Sequence, residues 1–467
     1  MSFTRQGRCQ ERDDVLGTTK PPLTLAWIAG ALNADGHDAR IVDLTAAGQT
    51  VHDLARALAD VAFQPTLIIF ASCFPTWDAD VRAMTWLKHA TGAPIVAFGP
   101  HASSAPLLAM ARAADVDGVI VGEPEDGARA LADLPAGGDW GDIESLCFRR
   151  DGVIVAHRAP GRFAEFSTAA GPDWGDTDFS RYRLPLVNQP YALVETSRGC
   201  PYTCDFCVAP IQQGHHFRER SAAAIVDEIA RLKNTRGLEY FYLWGDTVTL
   251  NQKSVAALTD ELIARRLDIR WIANARADNL TDPAFAMRLR ESGCWMLSFG
   301  IEASAPTRRD EMHKRLQTPA IDAAIRNLRQ AGIKSFAFFI LGYPGETRAS
   351  MAATGDYACA LDIDFAGFYP AVPYPGTALG DRAAAAGWVI DPAAWHQLEY
   401  EHYAMRCGEL DAVSVMGAVA RARRRFYLRP RYLLRHAGDL ARVAITKPGV
   451  TARIAMQMLQ PIRFARR

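Results

Sequence analysis

The sequence predicts an α/β protein: a doubly wound parallel sheet, then a parallel barrel, then a helical C-terminal region. Three observations carry this. Between residues 21 and 134 short apolar runs alternate with helix-like segments, as in a parallel sheet covered by helices. Between 191 and 390 the strand–helix alternation recurs six times at the spacing of a parallel barrel. Residues 135–190 interrupt the two alternations as a connector, and residues 391–467 read as helical and basic.

In the first stretch, Pro22–Ala34 is an apolar helix opened by prolines. Ala39–Leu44 reads as a strand and Val51–Val61 as a helix. Thr66–Ala71 is a buried strand, followed by helix Asp78–His89, strand Pro94–Phe98, helix Ser104–Ala114, strand Gly118–Val121 and helix Asp126–Leu134. Ligands of such sheets sit beyond the carboxyl ends of the strands. Those ends are Ser72–Thr76, Gly99–His101 and Gly122–Glu125. Met1–Lys20 holds no apolar run, so the strand that usually opens such a domain is expected to be missing from 1–134. In the connector, Pro135-Ala-Gly-Gly is a break, and Ser145–His157 reads as a β-hairpin about its Asp151-Gly152 turn. The Gly/Pro/Asp-rich stretch Gly171–Pro185 is expected to drape over the next domain.

In the second stretch the strands are Ala192–Thr196, Tyr240–Trp244, Arg270–Ala275, Trp295–Ile301, Ser335–Leu341 and Phe365–Val372. Helices Ala222–Lys233, Ser254–Arg265, Pro283–Ser292, Pro319–Ala331 and Ser350–Leu361 separate them. Barrel chemistry gathers at the carboxyl ends of the strands. Here those ends hold Gly245-Asp246, Arg276, Glu302, Gly342-Tyr-Pro-Gly-Glu346 and Pro373-Tyr-Pro-Gly-Thr377.

Lys and Arg (52) balance Asp and Glu (52), and 49% of residues are apolar, which fits a globular chain. Nine cysteines and a polar N-terminus place it in a reducing cytoplasm. No uncharged apolar run reaches membrane-spanning length. From Arg421 to Arg467, thirteen Lys/Arg face one acid, Asp439. Such a tail either docks on an anionic surface, peripheral to the inner membrane, or is a helical cap whose arginines pair with acids of the fold. No nucleic-acid partner is expected.

The chemistry is concentrated in Cys200-Pro-Tyr-Thr-Cys204-Asp-Phe-Cys207, which follows the first barrel strand. Six other cysteines are scattered over the rest of the chain, so this spacing is not accidental. Structural zinc wants four ligands in two close pairs, and no second pair exists. Iron–sulfur clusters are held by cysteine thiolates, usually four. Three thiolates on one loop leave a fourth iron open to substrate, which marks a catalytic cluster.

The C-x3-C-x2-C spacing, with Phe206 before the last cysteine, resembles the radical S-adenosylmethionine enzymes. That resemblance implies a partial (β/α)6 barrel and a 4Fe-4S cluster on Cys200, Cys204 and Cys207. Its open iron would chelate S-adenosylmethionine and cleave it to a 5′-deoxyadenosyl radical. It also implies an external reductant such as a flavodoxin or ferredoxin. By the same resemblance, Gly245-Asp246 lies where the ligand's amino group binds and Glu302 where its ribose binds. Ile340-Leu-Gly342 lies where its adenine packs. Arg276 and the Lys314-Arg315 pair are candidate partners of its carboxylate, or else salt-bridge residues. His215, His216, Trp244, Tyr369 and Tyr374 are candidates for the substrate side, or packing residues.

The stretches 20–29, Phe98-Gly-Pro-His101 and Val121-Gly-Glu-Pro-Glu125 resemble the cobalamin-binding domain that precedes many such barrels. This implies a cobalamin site at Ser72, Thr76, Gly99, His101, Gly122 and Glu123; the alternative is a flavodoxin-like domain with a degenerate site. No Asp-x-His-x-x-Gly stretch exists, so no histidine lower ligand is expected, and His101 reads more readily as a hydrogen-bonded loop histidine. Tyr182-Arg-Leu-Pro, Arg198-Gly-Cys-Pro, Cys207-Val-Ala-Pro, Leu341–Thr347, Pro373–Thr377 and Arg425–Arg431 are similar to enzymes acting on hopanoid lipids or magnesium porphyrin esters, and equally to less defined methyltransferases. The implied reaction is cobalamin-dependent methyl transfer to an unactivated carbon of a small-molecule or lipid substrate. The alternatives are a radical cyclase or ring-rearranging oxidoreductase on a lipid or tetrapyrrole, and a non-catalytic Fe–S sensor.

Overall fold

The computed structural model describes residues 19–446, apart from 51–52, 54–62, 136, 170, 185 and 400. The expected helix Val51–Val61, the lack of a strand in Met1–Lys20 and the end of the basic tail therefore fall largely or wholly outside the described residues.

The front sheet has five strands: β1 (Ile68–Ala71), β2 (Ile95–Phe98), β3 (Gly118–Ile120), β4 (Leu146–Arg150) and β5 (Val153–Val155), in that spatial order. The first three pair in parallel and are buried almost throughout, which is why they read as continuous apolar runs. The hairpin forms at Asp151-Gly152, with φ of +50° and +79° at the two turn residues, the signature of a type I′ turn. It is not a free part of the connector. β4 pairs antiparallel with β3, Gly118 opposite Phe148, and extends the front sheet.

Two expectations fail locally. Ala39–Leu44 is no strand, because the Asn33 side chain pins the chain there: its amide accepts from Ala39 N (2.8 Å) and donates to Ala39 O (3.4 Å). Asp43 then caps a short helix, Leu44–Ala47. Ser104–Ala114 is two short helices, Pro100–Ser104 and Pro106–Ala111. Pro106 has no N–H to donate and pushes Ala105 out of the helical region, to φ −143° and ψ 58°.

The barrel carries all six expected strands: β6 (Tyr191–Glu195), β9 (Tyr240–Trp244), β10 (Arg270–Ala275), β11 (Cys294–Glu302), β12 (Lys334–Leu341) and β13 (Phe365–Pro370). They pair in parallel and in chain order, from β6 at one edge to β13 at the other. Between β6 and β9 lie two short strands, β7 (Ser197–Arg198) and β8 (Arg218–Glu219), paired antiparallel. Along β12 burial alternates strictly: Ser335, Ala337, Phe339 and Leu341 pack under the outer helices, while Phe336, Phe338 and Ile340 are half-buried on the other face.

Two seams join the front sheet to the barrel. In the first, Trp27 of helix Leu23–Ala34 meets Phe163 and Phe166. The stretch 171–184 lies over this helix and the barrel helix Ala222–Arg236, with Asp173 N bonded to Ala26 O and Arg231 to Pro172 O. Trp174, Phe179 and Tyr182 are buried beneath it. In the second, Phe74 and Trp77 of the front domain pack on Tyr374 and Trp395. Helix Ala412–Tyr427 covers β13 and helix Arg348–Ala360. The described part of the basic tail is a cap: Arg423, Arg425 and Arg435 pair with Glu401, Asp356, and Asp362 and Asp364. Among the described residues no helix is long and apolar enough to cross a membrane.

Candidate active site

The cysteine loop leaves the barrel at β6, whose five residues are all buried. β7 and β8 clamp its two ends together. Gly199 (φ +83°) makes the close approach possible, since a Cβ there would lie 2.1 Å from the His216 carbonyl oxygen. Cys200 N donates to Gly214 O (3.1 Å) and Cys207 N to Cys204 O (3.2 Å). Inside the motif, Asp205 is buried and accepts from Tyr343 Oη and from Arg382 (3.0 Å). The loop is thereby tied to the turn after β12 and to helix Ala378–Ala385. Cys200, Cys204, Phe206 and Cys207 are half-buried, whereas Cys73, Cys147 and Cys294 are buried, with thiols that burial pushes up. Accessible thiols on a pinned loop, with cationic Arg276 and Lys314 beside them, suit the charge of an anionic iron–sulfur cluster, although among the described residues no three such ligands are gathered at metal-holding distance.

Arg276 comes from the end of β10 and Lys314 from the turn after helix Pro306–Glu311. Arg276, after β10, is buried, bonds both oxygens of Asp278 (3.1 and 2.9 Å) and the Lys314 carbonyl (3.0 Å), and lies 3.7 Å over the Tyr202 ring of the cysteine loop. Lys314 donates to Glu302 Oε1 (2.9 Å). Burial opposes its charge, but Glu302 and then Cys204 outweigh that and raise its pKa. Glu302 stands at a bulge of β11 with φ +69°, and its side chain folds back over Gly300. A Cβ on Gly300 would lie 1.9 Å from Glu302 Oε1 and 2.8 Å from Lys314 Nζ. Asp246 is half-buried above β9, and Gly245 packs against Ser197.

Gly342 is buried at the end of β12, with Val415 and Tyr403 where its side chain would be, and its carbonyl accepts from Tyr403 Oη (2.9 Å). Glu346 closes this turn by accepting from the Gly342 and Tyr343 amides (2.7 and 3.0 Å). Ile340, Trp244 and Tyr369 are half-buried, Tyr374 belongs to the aromatic seam, and His215 and His216 are exposed. Arg315, paired with Lys314 in the sequence reading, is exposed outside this group. The turn at 313–315 puts only Lys314 inside.

The front-domain loops face the barrel across an open cleft lined by both polar and apolar side chains. Ser72, Gly99 and Glu123 border it from the front, and Arg198, Trp244 and Asp246 from the barrel. Ser72 and Thr76 both donate to buried Asp80, and Gly122 N donates to Ser103 Oγ (2.9 Å). His101 does not border the cleft. Its ring is fully buried among Phe74, Trp77 and Trp395, and burial pushes its pKa down to about 3. This is a correction: His101 is a neutral member of the aromatic seam, not a cofactor contact. The cleft mixes glycine backbone, carboxylates and apolar walls, the groups that a large amide-fringed cofactor would meet.

Sequence reasoning missed three side chains. Arg198 is buried and donates to Glu123 (3.2 Å), Glu125 (2.7 Å) and Glu195 (2.9 Å) at once. Asp205 and Asp80 anchor the cysteine loop and the first front loop. The available signals were a charged residue immediately before Gly199-Cys200, a carboxylate ending the apolar run of β6, and an acid between two motif cysteines.

With this geometry in hand, comparison with known proteins gives a consistent picture. Residues 194–358 match the family described as Radical SAM superfamily. An uncharacterized methyltransferase of Pyrococcus horikoshii is 29% identical over 92% of this chain and 94% of its own. The anaerobic magnesium-protoporphyrin IX monomethyl ester cyclase of Cereibacter sphaeroides is 26% identical over 88% of this chain and 67% of its own. Among solved structures, the radical S-adenosylmethionine methyltransferase TsrM from Kitasatospora setae, with cobalamin and a 4Fe-4S cluster bound, superposes with TM-score 0.68 at 20% identity, over 80% of this chain and 77% of that one. The cobalamin-dependent radical enzyme OxsB, with aqua-cobalamin and S-adenosylmethionine bound, gives 0.59 at 16% identity, over 72% and 49% of the two chains. The fold of front sheet plus partial barrel is thus shared with both.

Proposed function

We propose that this chain, which carries a radical S-adenosylmethionine domain, is an enzyme that transfers a methyl group to an unactivated carbon with the help of cobalamin. The observation that carries the reading is the single cleft onto which both sets of loops open, Ser72, Gly99 and Glu123 on one side and Arg198, Trp244 and Asp246 on the other. When bound, the cluster supplies the electron that cleaves S-adenosylmethionine and cobalamin supplies the methyl group. Cys200, Cys204 and Cys207 would hold three irons of the cluster. Glu302, fixed by Lys314, offers an acceptor for ribose hydroxyls, and Asp246 one for an ammonium. Arg276 and Lys314 keep positive charge beside the cluster. Ser72, Gly99 and Glu123 would line the cobalamin side of the cleft. The aromatic and apolar side chains of β9, β12 and β13 (Trp244, Phe338, Ile340, Tyr369) face the substrate. The electron comes from an external reductant of flavodoxin or ferredoxin type.

Reconstitution under anaerobic conditions tests this. With reductant, the protein is expected to release 5′-deoxyadenosine from S-adenosylmethionine and to bind cobalamin. An intact cluster without cleavage would favour a sensor. Mass spectrometry of cells lacking or overproducing the protein is expected to show a metabolite gaining a methyl group. A product that has instead lost hydrogens would support the cyclase reading, for which the likeness to the Cereibacter sphaeroides cyclase over most of the chain speaks. In a peripheral contact with anionic lipid, Leu434 and Ile445, 81% and 80% exposed, would be the apolar contacts. Flotation with phosphatidylglycerol vesicles, and its loss in Leu434→Ser/Ile445→Ser, tests that contact.

A further inference from the structure

Arg198 sits two residues before Cys200, yet two of its three carboxylate partners, Glu123 and Glu125, belong to the loop after β3 in the front domain. The third, Glu195, ends β6. All four side chains are at most 4% exposed. Phe166, Trp27 and Phe163 close over the guanidinium at 4.6, 5.5 and 5.7 Å. Glu123 also accepts from Arg218 and from Phe163 N (2.9 Å). Three carboxylates thus share the two guanidinium groups that bond them directly. Within it, Glu125 Oε1 is bonded to Arg198, while Oε2 is buried with no hydrogen-bond partner, and Glu125 borders the cleft. An unpartnered buried carboxylate oxygen is costly, and a ligand donor reaching it would remove the cost.

We infer that Glu125 Oε2 accepts a hydrogen bond from an amide N–H of the ligand in the cleft, and that Arg198 transmits this contact to the cysteine loop. Arg198 is a positioning residue here: it borders the same cleft but acts through its bond to Glu125, and its own backbone leads directly into Gly199 and Cys200. An occupied cleft holds Glu125, Glu125 holds Arg198, and the loop that carries the cluster loses freedom. The inference rests on the reading of the cleft as a corrinoid site, whose periphery of primary amides supplies such donors.

The test uses the full-length, cluster-loaded protein and hydroxocobalamin. Absorbance titration of wild type, Glu125→Gln, Arg198→Lys and the double variant gives the dissociation constants. Hydrogen exchange of the peptide spanning 196–216 is then followed with and without saturating cobalamin. Each single variant is expected to bind about tenfold or more weakly, and the double variant no more weakly than the weaker single one. Cobalamin is expected to slow exchange of 196–216 in wild type but not in either single variant. A purely structural role would change exchange equally in the free and bound states. Binding within about threefold of wild type in both variants, or cobalamin-dependent protection that persists in them, overturns the relay. Absence of cobalamin binding by wild type overturns the corrinoid reading itself. Should Arg198→Lys fail to retain iron, Glu125→Gln, which leaves the cysteine loop untouched, decides alone.

Discussion

Replacing Gly300 with alanine places a methyl group where the Glu302 carboxylate lies. The added Cβ would stand 1.9 Å from Oε1 and 2.8 Å from Lys314 Nζ, so the carboxylate must leave. Its departure breaks a buried ion pair, worth about 3–5 kcal/mol when one partner is lost. The left-handed backbone at Glu302, φ +69°, costs of order 1–3 kcal/mol on its own and is sustained by that pair. Release of that strain and relaxation of the freed carboxylate toward solvent offset part of the ion-pair loss, and we expect a net loss of about 3 kcal/mol. If the barrel melts as one unit, this is a fall of roughly 6–12 °C in Tm. The displaced carboxylate is also the proposed ribose acceptor, so S-adenosylmethionine affinity is expected to drop about tenfold or more, at unchanged iron content. Calorimetric titration of the reconstituted protein and thermal unfolding read both effects. Gly438→Ala, where a Cβ meets nothing within 4 Å, is the control. An unchanged Kd together with a Tm within about 1 °C of wild type would refute the fold-back of Glu302 over Gly300.

Alanine at Cys200, Cys204 or Cys207 is expected to abolish cluster absorbance and cleavage of S-adenosylmethionine, while half-buried Cys359→Ser keeps both; iron and sulfide analysis checks this. Burial raises the Asp80 carboxyl to about 7, against bonds from Ser72 and Thr76 that lower it. The folded chain therefore holds this proton to higher pH than the unfolded chain, so the stability it contributes is complete below about pH 3.8 and is lost as pH rises to about 7. Asp80→Asn is expected to remove that decline, and denaturant melts at about pH 5 and about pH 8 should show wild type losing more stability than the variant. Tyr343→Phe deprives buried Asp205 of one donor while Arg382 remains; a loss of about 1–3 kcal/mol is expected, with faster release of iron to a chelator.

Where local chemistry decides, the sequence was readable. All six barrel strands lie within a residue or two of their apolar runs, and Asp151-Gly152 turns where it must. The cysteine spacing alone points to a cluster. What failed depends on distant partners. Nothing local tells that Asn33 will hold Ala39, or that the hairpin will join β3. Pro106 did carry a local signal against a continuous helix. At the site, Glu302, Asp246 and Arg276 were visible as polar residues ending apolar strands. Arg198 was not, because its meaning lies in carboxylates more than 70 residues away in the chain. Only the resemblance of its loop puts His101 at the cobalamin site, and the covering Trp395, roughly 300 residues later, cannot be read locally.

The aromatic seam also has a consequence for the birth of the molecule. Phe74, Trp77 and His101 leave the ribosome early, but Trp395, which covers them, follows roughly 320 residues later. At about 5–20 residues per second the front domain waits some 16–64 s with that apolar face uncovered. Nascent chains of this protein should therefore be held by chaperones during most of their synthesis, and chains ending before residue 395 should aggregate through the front domain although their cysteine loop is complete.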